Sequence, residues 1–229
     1  MFVLLHSPAL GPRSWRDVAR ELERAGRDVV VPSLTAEFCG VPPTWPAVAE
    51  AVAATVPAGT AEVVVVAHSG AGHYVPAVVD RCPAPVAGCV LVDAALPPRR
   101  GQMPAAPPEL LDQLRAMAVD GRLPVWTDWW DPADVDLLFP DAVTRREVAA
   151  EQPRLPLAHY EQELPVREGW DDRPCAHVAF GDTYGPEAAE AARRGWRVVT
   201  LPGRHLHQVV DPAAVAAELL GRLCRPPPG

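Results

Sequence analysis

Residues 62–72 read EVVVVAHSGAG, from Glu62 to Gly72. The unbroken β-branched run Val63 to Val66, followed by Ala67, predicts a strand buried on both faces. It runs straight into the turn His68-Ser69-Gly70-Ala71-Gly72 and then into a helical pattern from Tyr74 to Arg81. A strand, a tight turn and a helix with serine at the apex is the context of a nucleophile elbow. The turn is sharp, so the residues two before and two after the serine must be tiny. Here both are alanine, Ala67 and Ala71, where glycine is more usual. Such an elbow lifts the Ser69 hydroxyl above the sheet and aims the Gly70 amide at a developing oxyanion. The plainer reading of the same residues is a glycine-rich turn that binds an anion or nothing. The strand–turn–helix context favours the nucleophile.

Outward from this stretch, short apolar runs alternate with helical patterns. FVLLH (Phe2 to His6), DVVVP (Asp28 to Pro32) and VAGCVLVD (Val86 to Asp93) predict further strands, as do CAHVAF (Cys175 to Phe180) and WRVVTL (Trp196 to Leu201). Between them, Ser14 is placed to cap a helix with Trp15, Val18, Ala19 and Leu22 on one face and Gly26 at its end. Trp45 to Val56 and Pro186 to Arg194 also read as helices. Asp211-Pro212 is an N-cap followed by proline at the first helical position, and it opens a final helix. From Leu96 to about Pro165 there is no strand signal, only helical stretches around Leu110 to Val119 and Ala142 to Gln152. This alternation predicts an α/β fold, with a mostly parallel sheet and helices on both faces. Residues 1–95 and 166–229 form its core, and residues 96–165 are a small helical cap inserted after the Asp93 strand. The cap is expected over the carboxyl ends of the strands, where ligands bind in this architecture.

Composition narrows the chemistry before any motif does. The 229 residues include 37 alanines and 28 prolines, but no lysine, asparagine or isoleucine, so all 21 basic residues are arginine. A GC-rich genome accounts for most of that bias. Without lysine there is no Schiff-base enzyme, no phosphate-loop lysine and no Ser-Lys dyad. Without asparagine there is no Cys-His-Asn protease. A net charge of −8 argues against nucleic acid and against an anionic membrane as partners. The five cysteines, Cys39, Cys82, Cys89, Cys175 and Cys224, are far apart and odd in number. That points to free thiols in a reducing, cytoplasmic compartment. The apolar start lacks a basic leader and reads as a strand, and no run is long enough to span a membrane. No dinucleotide fingerprint and no trustworthy metal-ligand spacing is present, so no cofactor and no metal is expected.

A nucleophilic serine needs a base, and LPGRHLHQVVDP supplies two histidines after the last strand. His205 stands nearer the glycine turn and is favoured over His207 to face the strand ends. The base needs a carboxylate to fix its tautomer. Asp93 and Asp182 both stand at strand ends, and both give the chain order Ser, Asp, His.

The chain resembles the α/β-hydrolase superfamily over nearly its whole length. The resemblance rests on LLHSPALGPRSW after the first strand, AHSGAG at the elbow, VDAALP, the cap, AFGD and GRHLHQVVDP. The spacing from His6 to Trp15 and the small cap resemble the branch that contains plant methylesterases and hydroxynitrile lyases. The resemblance implies Ser69 as nucleophile and His205 as base. Two departures stand out. The family's acid commonly occupies the fourth position of a G-x-x-D turn; here Gly181-Asp182-Thr183-Tyr184 puts Tyr184 there. Some members take the acid from the end of the preceding strand, so Asp93 is the expected acid and Asp182 the alternative. The family's oxyanion loop is His-Gly-X, with the amide of X as donor. Here it is His6-Ser7-Pro8, and proline has no amide hydrogen. Gly70 is then left with the Ala9 amide or the Ser7 hydroxyl as helper. A hydroxyl at Ser7 resembles the lyase branch more than the esterases.

In the cap, Trp126, Trp129 and Trp130 form either a substrate wall suited to an apolar ligand or the packing that seats the cap. Arg99 and Arg100 read as a solvated pair. These features predict a serine hydrolase acting on a small-molecule ester or thioester with an apolar part. A lyase or cyclase using Ser69 and His205 for proton transfer is the alternative. So is a non-catalytic relic that binds a ligand, which would lack a Ser69–His205 hydrogen bond.

Overall fold

The structure, a computed structural model, describes residues 1–223; Cys224 and the proline-rich tail lie outside the described residues. Its strands are β1 (Phe2–Leu5), β2 (Val29–Val30), β3 (Val63–Ser69), β4 (Val86–Ala94), β5 (Gly101–Pro104), β6 (Glu163–Val166), β7 (Cys175–Phe180) and β8 (Arg197–Leu201). Six of them form one sheet in the order β2-β1-β3-β4-β7-β8, and every pairing in it is parallel. β3 therefore lies inside the sheet, with β1 on one side and β4 on the other.

The β-branched run of β3 explains this placement. Every residue from Val63 to Ser69 is buried. Successive side chains of a strand point to opposite faces. Val63, Val65 and Ala67 join a core with Val48 and Val52 from the helix Trp45–Thr55 and Val75 and Val78 from the helix Val75–Arg81. Val64 and Val66 pack on the other face with Trp15, Val18, Leu22, Val215 and Leu219. The last four come from the helices Arg16–Arg24 and Pro212–Leu223. Asp211 caps the latter, accepting the Ala214 N–H at 2.9 Å.

Three local expectations change. Ser14 is not an N-cap: it lies in the 3-10 turn Pro12–Trp15 and its hydroxyl donates to the Gly11 carbonyl at 2.8 Å. DVVVP contributes only Val29–Val30, because β2 is an edge strand and Pro32 cannot donate to a ladder. The inserted segment is not wholly helical, since β5 pairs antiparallel with β6, Gly101 opposite Val166. Its two strands lie some sixty residues apart in sequence and include Gly101, Pro104 and Pro165. No local alternation announces such a pair; tertiary pairing makes it.

The segment is tied to the loop after β1. Arg13, almost fully buried, donates its backbone N–H to Glu151 and its Nε to Glu147, both at 2.6 Å. Leu10 packs with Val135, Phe139 and Val148 of the segment and with Leu206 and Val209 beside His205.

Candidate active site

Ser69 ends β3 with φ 58° and ψ −133°, a conformation that a non-glycine residue holds only at a cost of about 1–3 kcal/mol. The turn that forces it runs hard against β4. A Cβ built on Gly72 would stand 2.0 Å from the Ala95 carbonyl oxygen. Gly70 opens that turn, so its amide has no intrahelical acceptor.

Asp93 owes its place to a bulge. His68 pairs with Val92, but Ser69 pairs with Ala94, so Asp93 is the extra residue of β4. Its φ is 42°. A bulge of this kind re-aims a side chain out of the ladder. The Asp93 carboxylate is fully buried and held at both oxygens. Oδ1 accepts the Phe180 N–H at 2.9 Å from the end of β7, and Oδ2 accepts His205 Nδ1–H at 2.6 Å. With the proton on Nδ1, the His205 Nε2 faces Ser69 as an acceptor, and the Ser69 O–H donates to it at 3.0 Å. Asp182 is exposed on the turn after β7, so Asp93, and not Asp182, holds the imidazole. His207 lies edge-on to Phe180 at 5.4 Å between ring centres and takes no part in this chain of bonds.

His68 supports the His205 loop from below. Burial holds its imidazole well below the ordinary range, so it is neutral and its Nε2–H donates to the His205 carbonyl at 2.9 Å. That bond pins the loop carrying His205. The signal was a histidine beside Ser69 on a strand buried on both faces, but its partner lies 137 residues away.

The loop after β1 is built around His6. Its Nδ1–H donates to the Ser7 carbonyl at 2.9 Å and its Nε2 accepts the Leu34 N–H at 3.0 Å. The Ser7 carbonyl also accepts from the Leu10 amide. Ser7 and Ala9 are buried, and the Pro8 ring lies against Gly70, with its Cδ 3.4 Å from where a Gly70 Cβ would stand. Pro8, between Ser7 and Ala9, thus brings the loop after β1 against Gly70.

The tryptophans divide. Trp126, in the short turn Trp126–Asp128, places its ring 6.0 Å from that of His205. Trp129 packs against Tyr160 and donates its indole N–H to the Pro124 carbonyl. Trp130 is 45% exposed. Arg99 and Arg100 are exposed and face Asp171 and Glu168.

One residue entered the site unannounced. The Tyr184 hydroxyl lies 3.4 Å from Ser69 Oγ, and its ring is 5.7 Å from the His205 ring. Burial pushes the phenol up to about 12, so it stays protonated. The sequence marks Tyr184 as the residue in the usual acid position; only the fold aims its hydroxyl at the serine.

Among the described residues no cluster of His, Cys, Asp or Glu is arranged to hold a metal ion, and no helix is long and apolar enough to cross a membrane.

Solved structures of other proteins share this fold. No curated protein matches the chain by sequence. An extracellular α/β-hydrolase from a Paenibacillus species is 18% identical, with 96% of this chain and 98% of that one covered and a TM-score of 0.75. Polyneuridine aldehyde esterase is 16% identical, with 96% and 97% covered and a TM-score of 0.68. Tomato methylketone synthase I, in complex with 2-tridecanone, is 12% identical, with 96% of each chain covered and a TM-score of 0.70. At these identities the likeness establishes the fold. The sequence model of the alpha/beta hydrolase family matches residues 2–218, nearly the whole chain, and the protein belongs to that family.

Proposed function

We propose that this protein is a serine hydrolase of the carboxylesterase or thioesterase type, acting on a small molecule with an apolar acyl or alcohol part. The observation that carries the reading is the unbroken chain from Ser69 Oγ through His205 to Asp93, at 3.0 and 2.6 Å. Ser69 attacks the carbonyl carbon while His205 Nε2 takes its proton. Buried Asp93 keeps His205 in the accepting tautomer and stabilises the imidazolium that forms. The Gly70 N–H holds the oxyanion, helped by the Ala9 amide or the Ser7 hydroxyl in place of the donor that Pro8 lacks. His205 then returns the proton to the leaving group, and water releases the acyl group by the same steps in reverse. Trp126 supplies an apolar wall. The free thiols Cys39, Cys82, Cys89 and Cys175 support a reducing, cytoplasmic setting.

The test is Ser69→Ala against short-chain p-nitrophenyl esters, with labelling by a fluorophosphonate probe. The wild type is expected to turn over and to label rapidly, and the variant to do neither. The substitution of Pro8 into the oxyanion loop favours a second reading, a lyase or cyclase that uses Ser69 and His205 only to move protons. A wild type that neither labels nor hydrolyses a broad ester panel would decide for it. A relic of the fold is disfavoured by the Ser69–His205 hydrogen bond itself.

A further inference from the structure

We infer that Tyr184 is a catalytic residue that donates a hydrogen bond to the leaving-group oxygen as the acyl–oxygen bond breaks, and so selects oxygen esters of alkyl alcohols over thioesters. The inference rests on the hydrolase reading above and names the substrate class of that site. It starts from a displaced role. Asp93 holds His205 from the end of β4, so the side chain at the fourth position of the turn after β7 is released from that task. In this chain it is Tyr184, with its hydroxyl 3.4 Å from Ser69 Oγ.

Strand order decides which side of the serine the phenol serves. Ser69 ends β3; the Pro8 loop follows β1 on one side of it, and Tyr184 follows β7 beyond β4 on the other. Tyr184 therefore stands away from the oxyanion donors on the β1 side. Its ring lies alongside His205, tilted by 32°, and His205 is the group that protonates the leaving group. Hydrogen bookkeeping agrees. Ser69 spends its proton on His205 Nε2, so between Tyr184 and Ser69 the phenol is the donor. Burial keeps the phenol protonated, so it gives a hydrogen bond and never a proton.

The step balances without a co-reactant. In the tetrahedral intermediate the bond from the former carbonyl carbon to the leaving oxygen breaks, and its electron pair passes to that oxygen. The proton on His205 Nε2 moves to the same oxygen, and the oxyanion's pair re-forms the carbonyl. Tyr184 O–H stays intact and stabilises the charge that builds on the leaving oxygen. An alkyl alkoxide builds much charge there, a nitrophenolate little, and a thiolate sulfur accepts hydrogen bonds weakly.

The experiment compares wild type with Tyr184→Phe on the methyl ester, the p-nitrophenyl ester and an alkyl thioester of one apolar acid, by kcat/KM, which stops at acylation. Phenylalanine keeps the ring against His205, and an unchanged thermal midpoint checks the fold. Losing one donor to a charged atom is expected to lower the methyl ester rate about tenfold or more. The other two are expected to fall by less than about threefold, so the ratios between substrates change. An equal fall on all three substrates means a merely structural tyrosine and overturns the inference, as does an unchanged methyl ester rate. If the wild type labels with fluorophosphonate while either of those results holds, only the role of Tyr184 fails. If it neither labels nor hydrolyses any of the three, the hydrolase reading falls and this one with it.

Discussion

Asparagine at position 93 removes the charge and almost nothing else. The Asp93 side chain is fully buried and held at both oxygens, by the Phe180 N–H at 2.9 Å and by His205 at 2.6 Å. In Asp93→Asn the amide oxygen keeps the Phe180 N–H, and its NH2 group faces His205. Two donors cannot share that bond, so the imidazole proton shifts to Nε2, and Ser69 loses its acceptor. The imidazolium of the transition state also loses a counter-ion in contact, a charge pair of about 4 kcal/mol at an effective dielectric near 20, or about 10³ in rate. Adding the tautomer penalty gives an expected fall in kcat of about 10³–10⁴. Asp182→Asn, on an exposed turn, is expected to stay within about twofold. The assay is kcat on a short-chain p-nitrophenyl ester, with the urea midpoint measured in parallel. Retention of more than a tenth of the activity in Asp93→Asn would refute the reasoning. So would a comparable loss in Asp182→Asn at unchanged stability.

Other expectations follow from single contacts. Pro8→Ala gives the loop an N–H beside Gly70, and ester turnover is expected to rise about tenfold; an unchanged rate would mean that the Ala9 amide already completes the oxyanion site. Gly72→Ala drives a methyl group into the Ala95 carbonyl and is expected to destabilise by about 2–3 kcal/mol, read as a lower urea midpoint; a neutral result counts against the tight elbow. Burial holds His6 and His159 at about 4, against an ordinary 6.5. Between those values the unfolded chain binds more protons than the folded one. Stability is therefore full above pH 6.5 and falls as the pH drops toward 4, by about 2 kcal/mol per histidine at pH 5. Urea midpoints at pH 7 and pH 5 measure the difference, and equal values would contradict it.

The alternation of buried strands and helices was legible because it is local. A β-branched run such as Val63 to Val66 cannot be solvated on either face, and helices must then cover both. The tight turn at Ser69 was legible for the same kind of reason, since small residues on both sides of a serine between strand and helix answer a steric demand of the turn itself. The pair β5 and β6 was not, because neither strand has a pattern of its own and each exists only through the other. Which ring of the tryptophan run lies near His205 was not legible, because adjacency along a turn says nothing of direction. His68 and Tyr184 were visible as residues but not as contacts, since their partners come from distant parts of the chain.

By itself, the sequence determined the chemistry that was available. An absence of lysine and asparagine, a serine at a tight turn and a histidine after the last strand narrow the candidate chemistry to serine, histidine and aspartate on a parallel α/β scaffold. The choice of partners belonged to the tertiary structure. Two aspartates end strands, and both satisfy the chain order. Only the slip in pairing between β3 and β4, which pushes Asp93 out of the ladder toward His205, separates the buried carboxylate from the exposed one. A hydrogen bond depends on distances of a few ångströms between groups more than a hundred residues apart, and only the packed sheet sets those distances.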